Sequence, residues 1–241
     1  MKPALDLNCD LGEEVIGHDT ELALLGLVTS VSIACGGHAG SVATMTDLAR
    51  ECGIRGVHIG AHPSFPDRAN FGRVAMRLPL DVLEASIAGQ IRALIDAAKP
   101  WRVRHVKPHG ALYHAANTDP AIAEVIAMAC QSVDADLVLI AQADSMPLKA
   151  WRTRGLKVAA EAFADRRYEP DGTLRSRALS GALIEDPQAA AEQARRIARG
   201  RPIETSGGHP RTIAAETICI HSDTPGSLEI ARAVRTALEE A

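Results

Sequence analysis

The stretch Val103-Arg-His-Val-Lys-Pro-His-Gly-Ala-Leu-Tyr-His114 decides how the rest of the chain is read. Val103 and Val106 begin a short β-prone run that Pro108 cannot continue, because proline offers no N–H to a sheet ladder. The break at Pro108 and Gly110 is followed by a helical stretch from Ala111. Two titratable side chains, Lys107 and His109, fall at that break. In α/β proteins the carboxyl ends of strands are where ligands bind and chemistry is done. The stretch therefore predicts a strand–loop–helix unit with a chemically loaded strand end.

Working outward, the same unit recurs. A period-2 strand over 4–8 runs on through Cys9 and Asp10, and Asp6, Asn8 and Asp10 at i, i+2 and i+4 share one face. Three polar groups on one face of a buried strand are costly unless something occupies that face; in a closed barrel it is the lumen or its mouth. A strand over 31–35 ends in Gly36-Gly-His-Ala-Gly40, where the glycine pair beside His38 predicts close backbone approach to a ligand. A strand over 56–60 leaves His62 just past its end. The strand over 136–140 is a continuous apolar run with a poorly marked exit, whereas that over 157–161 leads to Glu161, Asp165 and Arg166. The strand over 217–220 delivers His221 and Asp223. Helical spacing or capping signals place helices over 22–28 (short), 44–52, 79–98, 119–130, 146–154, 186–198 and 227–240. The non-periodic stretch 65–76 is long enough for a lid or substrate loop.

Composition narrows the partners. A chain of 241 residues suits one α/β barrel or two small domains, and no linker or composition shift divides it, so residues 1–241 are expected to form one domain. Hydrophobic residues make up 46% but aromatics only 3%, which predicts an aliphatic core and leaves little for stacking on nucleic-acid bases. A net charge of −4 without like-charge blocks argues against nucleic acid or an anionic membrane as main partner. Lys2, Asp6 and Asp10 argue against a signal peptide, and no charge-free apolar run of about 18 residues predicts a membrane span. The five scattered cysteines read as reduced thiols in a cytoplasmic protein. Homo-oligomer formation is left open.

Six of the seven strand ends carry ionisable groups: Asp10 with Glu13, His38, His62, Lys107 with His109, Glu161 with Asp165, and His221 with Asp223. A parallel barrel gathers such ends around one mouth, whereas an open sheet would spread them at about 4.8 Å per strand. The barrel is favoured. No GxGxxG follows a strand and no GxxxxGK[ST] occurs, so any nucleotide is held by neither loop. HExxH is absent too.

The motifs Asp6-Leu-Asn-Cys-Asp-Leu-Gly-Glu13, Ser32-Ile-Ala-Cys-Gly-Gly-His-Ala-Gly40, Ile59-Gly-Ala-His-Pro63, Val106-Lys-Pro-His-Gly-Ala-Leu-Tyr113, Glu161-Ala-Phe-Ala-Asp-Arg166 and Thr217-Ile-Cys-Ile-His221 together resemble the LamB/YcsF family. Ser41 stands where that family commonly has Asp. The resemblance implies a distorted seven-stranded β/α (TIM-like) barrel of the glycoside hydrolase/deacetylase type. It also implies ATP-dependent (Mg²⁺-assisted) opening of 5-oxo-L-proline to L-glutamate, as the A subunit of a 5-oxoprolinase working with subunits B and C. On that basis Asp10, Glu13 or His109 is expected as general base, and His38 or His62 as the proton donor to the ring nitrogen. Lys107 or Arg166 is expected to hold the substrate carboxylate or a phosphoryl oxygen, with Asn8, Glu161, Asp165, His221 and Asp223 completing substrate binding. Three rivals stand beside this reading. Asp10, His38 and His62 are a candidate Zn²⁺ set for a metal-dependent deacetylase or amidohydrolase. Lys107 is a candidate Schiff-base nucleophile. A non-catalytic substrate-binding subunit fits the same polar strand ends.

Overall fold

The computed structural model describes residues 5–241, so the first residue of the expected 4–8 strand, Ala4, lies outside the described part. Strands β1 (Asp6–Leu11), β2 (Ser30–Ala34), β3 (His58–His62), β4 (Val103–Val106), β5 (Val138–Gln142), β6 (Val158–Phe163) and β9 (Thr217–Ile220) form one closed parallel barrel in that order. β9 pairs with both β6 and β1 and closes the ring. Helices α1 (His18–Leu25), α2 (Val42–Arg55), α3 (Leu80–Ala97), α4 (Gly110–Thr118), α5 (Pro120–Val133), α6 (Met146–Thr153), α7 (Pro187–Ala198) and α8 (Ser227–Glu239) are interleaved with them. A small antiparallel pair, β7 (Ile203–Glu204) with β8 (Pro210–Arg211), flanks the Gly207–Gly208 turn that sequence periodicity leaves as a loop.

The helix ends follow from local chemistry. Asp119 and Asp186 precede prolines and cap α5 and α7 by accepting from the amides of Ala121 and Ala189. Ser41 caps α2 by accepting from Thr44 N. α2 stops at Gly56 in the left-handed region at φ 72°.

Strand alternation divides the protein into two interiors. Leu7, Cys9 and Leu11 of β1, with Val31, Ile33, Ile59, Ile218 and Ile220, belong to a large aliphatic and alanine-rich core shared with the helices. The alternate residues form a polar lumen. Asp6 accepts from Thr29, Ser30 and Thr217, and Asn8 donates to Thr217 Oγ1 at 2.7 Å. The i, i+2, i+4 polar face of β1 is thus paired inside the lumen, with Asn8 and Asp10 buried and Asp6 half-buried. Gly60 is required here, since a Cβ at that position would lie 2.0 Å from the His105 ring filling the lumen.

Strands shift by one to three residues from their expected bounds, β1 most, ending at Leu11 and not Asn8. β5 starts at Val138 instead of Asp136, and β3 reaches His62, making that histidine the last strand residue. The barrel itself matches the expected architecture.

Candidate active site

At the carboxyl ends of the strands lies a cavity of about 440 Å³. Its lining includes Asp10, Glu13, His62, Lys107, His109, Glu161, Arg166, His221 and Asp223 from the expected set. Asn8, His38 and Asp165 are buried directly behind them and do not line it. Arg73, Tyr113, His114 and Arg177 line it as well, and periodicity gives no hint of the first and last, which stand in irregular loops. Tyr113 and His114 carry a readable signal: α4 starts at the mouth, so its first turns face it.

The seam of the site is Lys107. Its ammonium lies 2.7 Å from Asp10 Oδ1, 3.0 Å from Glu161 Oε1 and 2.9 Å from Asn8 Oδ1. Burial alone pushes this lysine toward its neutral form, but Asp10 and Glu161 outweigh burial and raise its pKa well above the usual lysine value. Its hydrogen bonds go to Asn8, Glu161 and, at 3.3 Å, Cys219 Sγ, with Asp10 held beside it as an ion pair, so Lys107 has no hydrogen left for a substrate. Glu161 Oε2 in turn accepts from Tyr113 at 2.9 Å. This network ties β1, β4 and β6 together at the floor.

On the β1–β4 side, Glu13, His38, His62 and His109 converge, with one donor atom of each within 4.8 Å of all the others. His38 and His109 stack at 3.7 Å, and Glu13 Oε1 is 3.1 Å from both His38 Nε2 and His109 Nδ1. Burial raises the Glu13 pKa, but the hydrogen bonds of His109 and His38 overcome it and leave the carboxyl below its ordinary value. Burial pushes His62 down to about 3. His62 Nδ1 meets Lys107 O at 2.7 Å, and His109 Nε2 meets Phe71 O at 3.0 Å. Carbonyls only accept, so each ring carries a proton there. His62 Nε2 and His109 Nδ1 then point lone pairs at each other across 3.0 Å, beside the Glu13 carboxylate. The cluster is complete only with a positive charge among these atoms, either a shared proton or a metal ion. As a donor set, three imidazoles and a carboxylate fit Zn²⁺ or a similar divalent ion. The gathered set differs from Asp10, His38 and His62: Asp10 Oδ2 is 3.4 Å from His62 Nε2, but its other oxygen is taken by Lys107.

Of the glycine pair beside His38, Gly36 takes the left-handed region at φ 96° with open space at its Cβ position, and Gly37 is fixed by packing. A Cβ on Gly37 would lie 2.3 Å from Gln90 Oε1, which holds the amide of Ser64. The 65–76 loop is anchored over the histidines: Ala111 N donates to Gly72 O at 2.9 Å, and Arg68 donates to Gly40 O at 2.8 Å. It acts as a fixed cover for the cluster.

The β6–β9 side is built differently. Arg166 is 4% exposed, donates to Arg175 O at 2.7 Å, and leaves its Nε unpartnered. Burial and neighbouring Arg177 lower its pKa from the usual guanidinium value. Arg73 and Arg177 both engage Asp223, at 2.7 and 2.8 Å. Here the excess charge is positive, and an anion is what the wall lacks.

Fold and site together define a parallel β/α barrel that gathers carboxylates, imidazoles and arginines around one cavity at its mouth. The LamB/YcsF family model matches residues 5–241, and the chain belongs to that family. It is 45% identical to the 5-oxoprolinase A subunit of Chloroflexus aggregans, over 99% of this chain and 96% of the relative. It is 44% identical to the 5-oxoprolinase A subunit of Methylococcus capsulatus, over 99% and 93%. The crystal structure of the lactam utilization protein from Thermus thermophilus superposes with a TM-score of 0.90 at 39% identity, covering 98% of this chain and 96% of that one.

Proposed function

We propose that this chain is the lactam-opening subunit of a 5-oxoprolinase, converting 5-oxo-L-proline to L-glutamate in an ATP-dependent complex with subunits B and C. The observation that carries the reading is the division of one cavity into an acid–imidazole wall and an arginine wall. A ring with a carboxylate at one end and an amide carbonyl at the other matches that division. The carboxylate faces Arg166, and the carbonyl faces Glu13, His62 and His109. Lys107, its hydrogens all committed, fixes the charges of Asp10 and Glu161 instead of gripping substrate.

An unstrained lactam resists water because its amide is resonance-stabilised. Phosphorylation of the carbonyl oxygen, with ATP and Mg²⁺ bound on partner subunits, would make the ring carbon attackable; the chain's own lack of a phosphate loop supports that placement. Glu13, flanked by His109, then accepts a proton from the attacking water. The test is co-purification with subunits B and C, followed by ATP-dependent release of glutamate from 5-oxoproline. Conversion is expected; its absence with active partners would overturn the reading.

The opposed lone pairs of His62 and His109 favour a second reading, a metal-dependent amidohydrolase. An ion held by Glu13, His38, His62 and His109 would supply Lewis acidity to carbonyl or water. Elemental analysis of the purified protein decides it: near-stoichiometric zinc or a similar ion, lost in Glu13→Gln, supports this reading. A metal-free yet fully active complex leaves the shared proton.

A further inference from the structure

One pair on the arginine wall has a geometry that binding alone does not require. Asp165 is fully buried, and its carboxylate accepts from His221 Nδ1 at 3.0 Å, from His221 N at 3.0 Å and from Thr224 Oγ1 at 2.7 Å. Burial raises its pKa, but the paired His221 and these hydrogen bonds bring it down to about 2, so it remains a carboxylate at neutral pH. The His221 ring also stacks on Phe163, with centroids 5.5 Å apart and planes at 12°. A carboxylate on Nδ1 fixes the tautomer and supports the imidazolium. Nε2 is left without a protein partner among the described residues, on a ring that lines the cavity.

Building on the lactam-opening reading, we infer that His221 is the general acid that protonates the departing ring nitrogen, and that Asp165 is its positioning residue. Water adds to the carbonyl carbon of the O-phosphorylated lactam and gives one proton to the Glu13 side, leaving a tetrahedral carbon that bears a hydroxyl, the phosphate and the ring nitrogen. The hydroxyl oxygen re-forms the carbonyl and releases its proton to solvent as the ring C–N bond breaks; that bond's electron pair goes to nitrogen, and the Nε2 proton of the His221 imidazolium goes with it. A second water hydrolyses the acyl phosphate left behind to the carboxylate and inorganic phosphate. His221 ends neutral and is reprotonated from solvent through the open mouth. In the opposite cluster His62 and His109 have both ring nitrogens committed, and the unpartnered Nδ1 of His38 is buried off the cavity, whereas Nε2 of His221 is uncommitted on a ring that lines it. Charged or titratable groups facing His221 are Asp165 beyond β6, Asp223 on its own loop, Asp10 on β1 and His114 on α4.

The experiment uses the complex with its partner subunits and compares 5-oxoproline with the lactone in which ring oxygen replaces ring nitrogen. An alkoxide leaves with less protonation than an amide nitrogen. His221→Asn should lower kcat for the lactam by about 10²–10⁴-fold, leave KM nearly unchanged, and cost the lactone far less. The wild-type kcat profile should fall on the alkaline side as the acid deprotonates, and the residual activity of the variant should lack that limb. Asp165→Asn should repeat the pattern in milder form, which guards against a His221 variant that does not fold. Unchanged lactam turnover, or a retained alkaline limb in both variants, overturns the assignment while leaving the lactam-opening reading intact. A wild-type complex inert toward 5-oxoproline overturns both.

Discussion

The two walls of the mouth solve opposite electrostatic problems. The β1–β4 wall packs a carboxylate among three imidazoles and lacks a positive charge. The β6–β9 wall sets Arg166 beside Arg177, which shares the carboxylate of Asp223 with Arg73, and its excess charge is positive. Between them Lys107 is shared by the carboxylates of Asp10 and Glu161. A pocket that is unsatisfied in opposite senses at its two ends orients a dipolar substrate before any chemistry begins. Binding energy collected at the arginines is then available to hold the carbonyl against the acid–base wall.

Breaking the seam should have the largest effect. Lys107→Met leaves Asp10 and Glu161 buried without their cation, and a lone buried charge costs roughly 3–5 kcal/mol. Chemical denaturation should report that loss, and Asp10→Asn in the same chain should recover part of it. Next comes the arginine wall: Arg166→Gln should lower kcat/KM for 5-oxoproline by about 10–10²-fold, mostly through KM. A loss confined to kcat would place Arg166 at the reacting end and erase the contrast between the walls.

The acid limb of stability probes the same wall. Asp165 is held at about 2 in the folded protein, against about 3.9 for an unfolded aspartate. As pH falls, the unfolded chain takes up this proton first. The Asp165 contribution is therefore complete above about pH 5 and lost between about pH 4 and 2, a matter of roughly 2–3 kcal/mol. Urea midpoints at pH 7 and pH 3 should lie further apart in wild type than in Asp165→Asn, where that dependence is absent. Equal acid sensitivity in both would mean that the carboxylate is not held by His221 and Thr224 in solution.

The barrel and most of the acid–base wall were legible in the sequence because they obey local rules. Period-2 alternation placed Asp6, Asn8 and Asp10 on one face, and proline or glycine breaks marked the ends bearing His38, His62 and Lys107. What alternation does not encode is which of these side chains satisfy one another. Lys107 reads as a free cation until β1 and β6 bring it two carboxylates. Glu13 lies beyond its strand, and only the loop that follows folds it back among the histidines in place of Asp10. Gly37 reads as ligand space because the sequence does not announce that Gln90, on a helix far along the chain, fills it. Arg73 and Arg177 belong to loops without period, so their shared carboxylate, Asp223, was the only member of that group with a strand to announce it.

Arg73 gives the smallest effect and the finest test of the comparison. Its side chain is 49% exposed, it shares Asp223 with Arg177, and it lies over the Phe71 ring at 5.0 Å. An exposed ion pair of this kind contributes about 0–1 kcal/mol, so Arg73→Gln should leave stability nearly unchanged. Its charge still faces the cavity, so KM for the anionic substrate should rise by a few-fold at low salt. At an ionic strength of about 0.15 M the screening length is near 8 Å, and the effect of Arg73 should shrink there. Arg166 is 4% exposed, and buried charges are screened much less, so the KM defect of Arg166→Gln should persist at the same salt. Measuring KM for both variants across ionic strength separates attraction at the rim from contact at the wall. Two defects that fade together would mean that the substrate carboxylate never reaches Arg166.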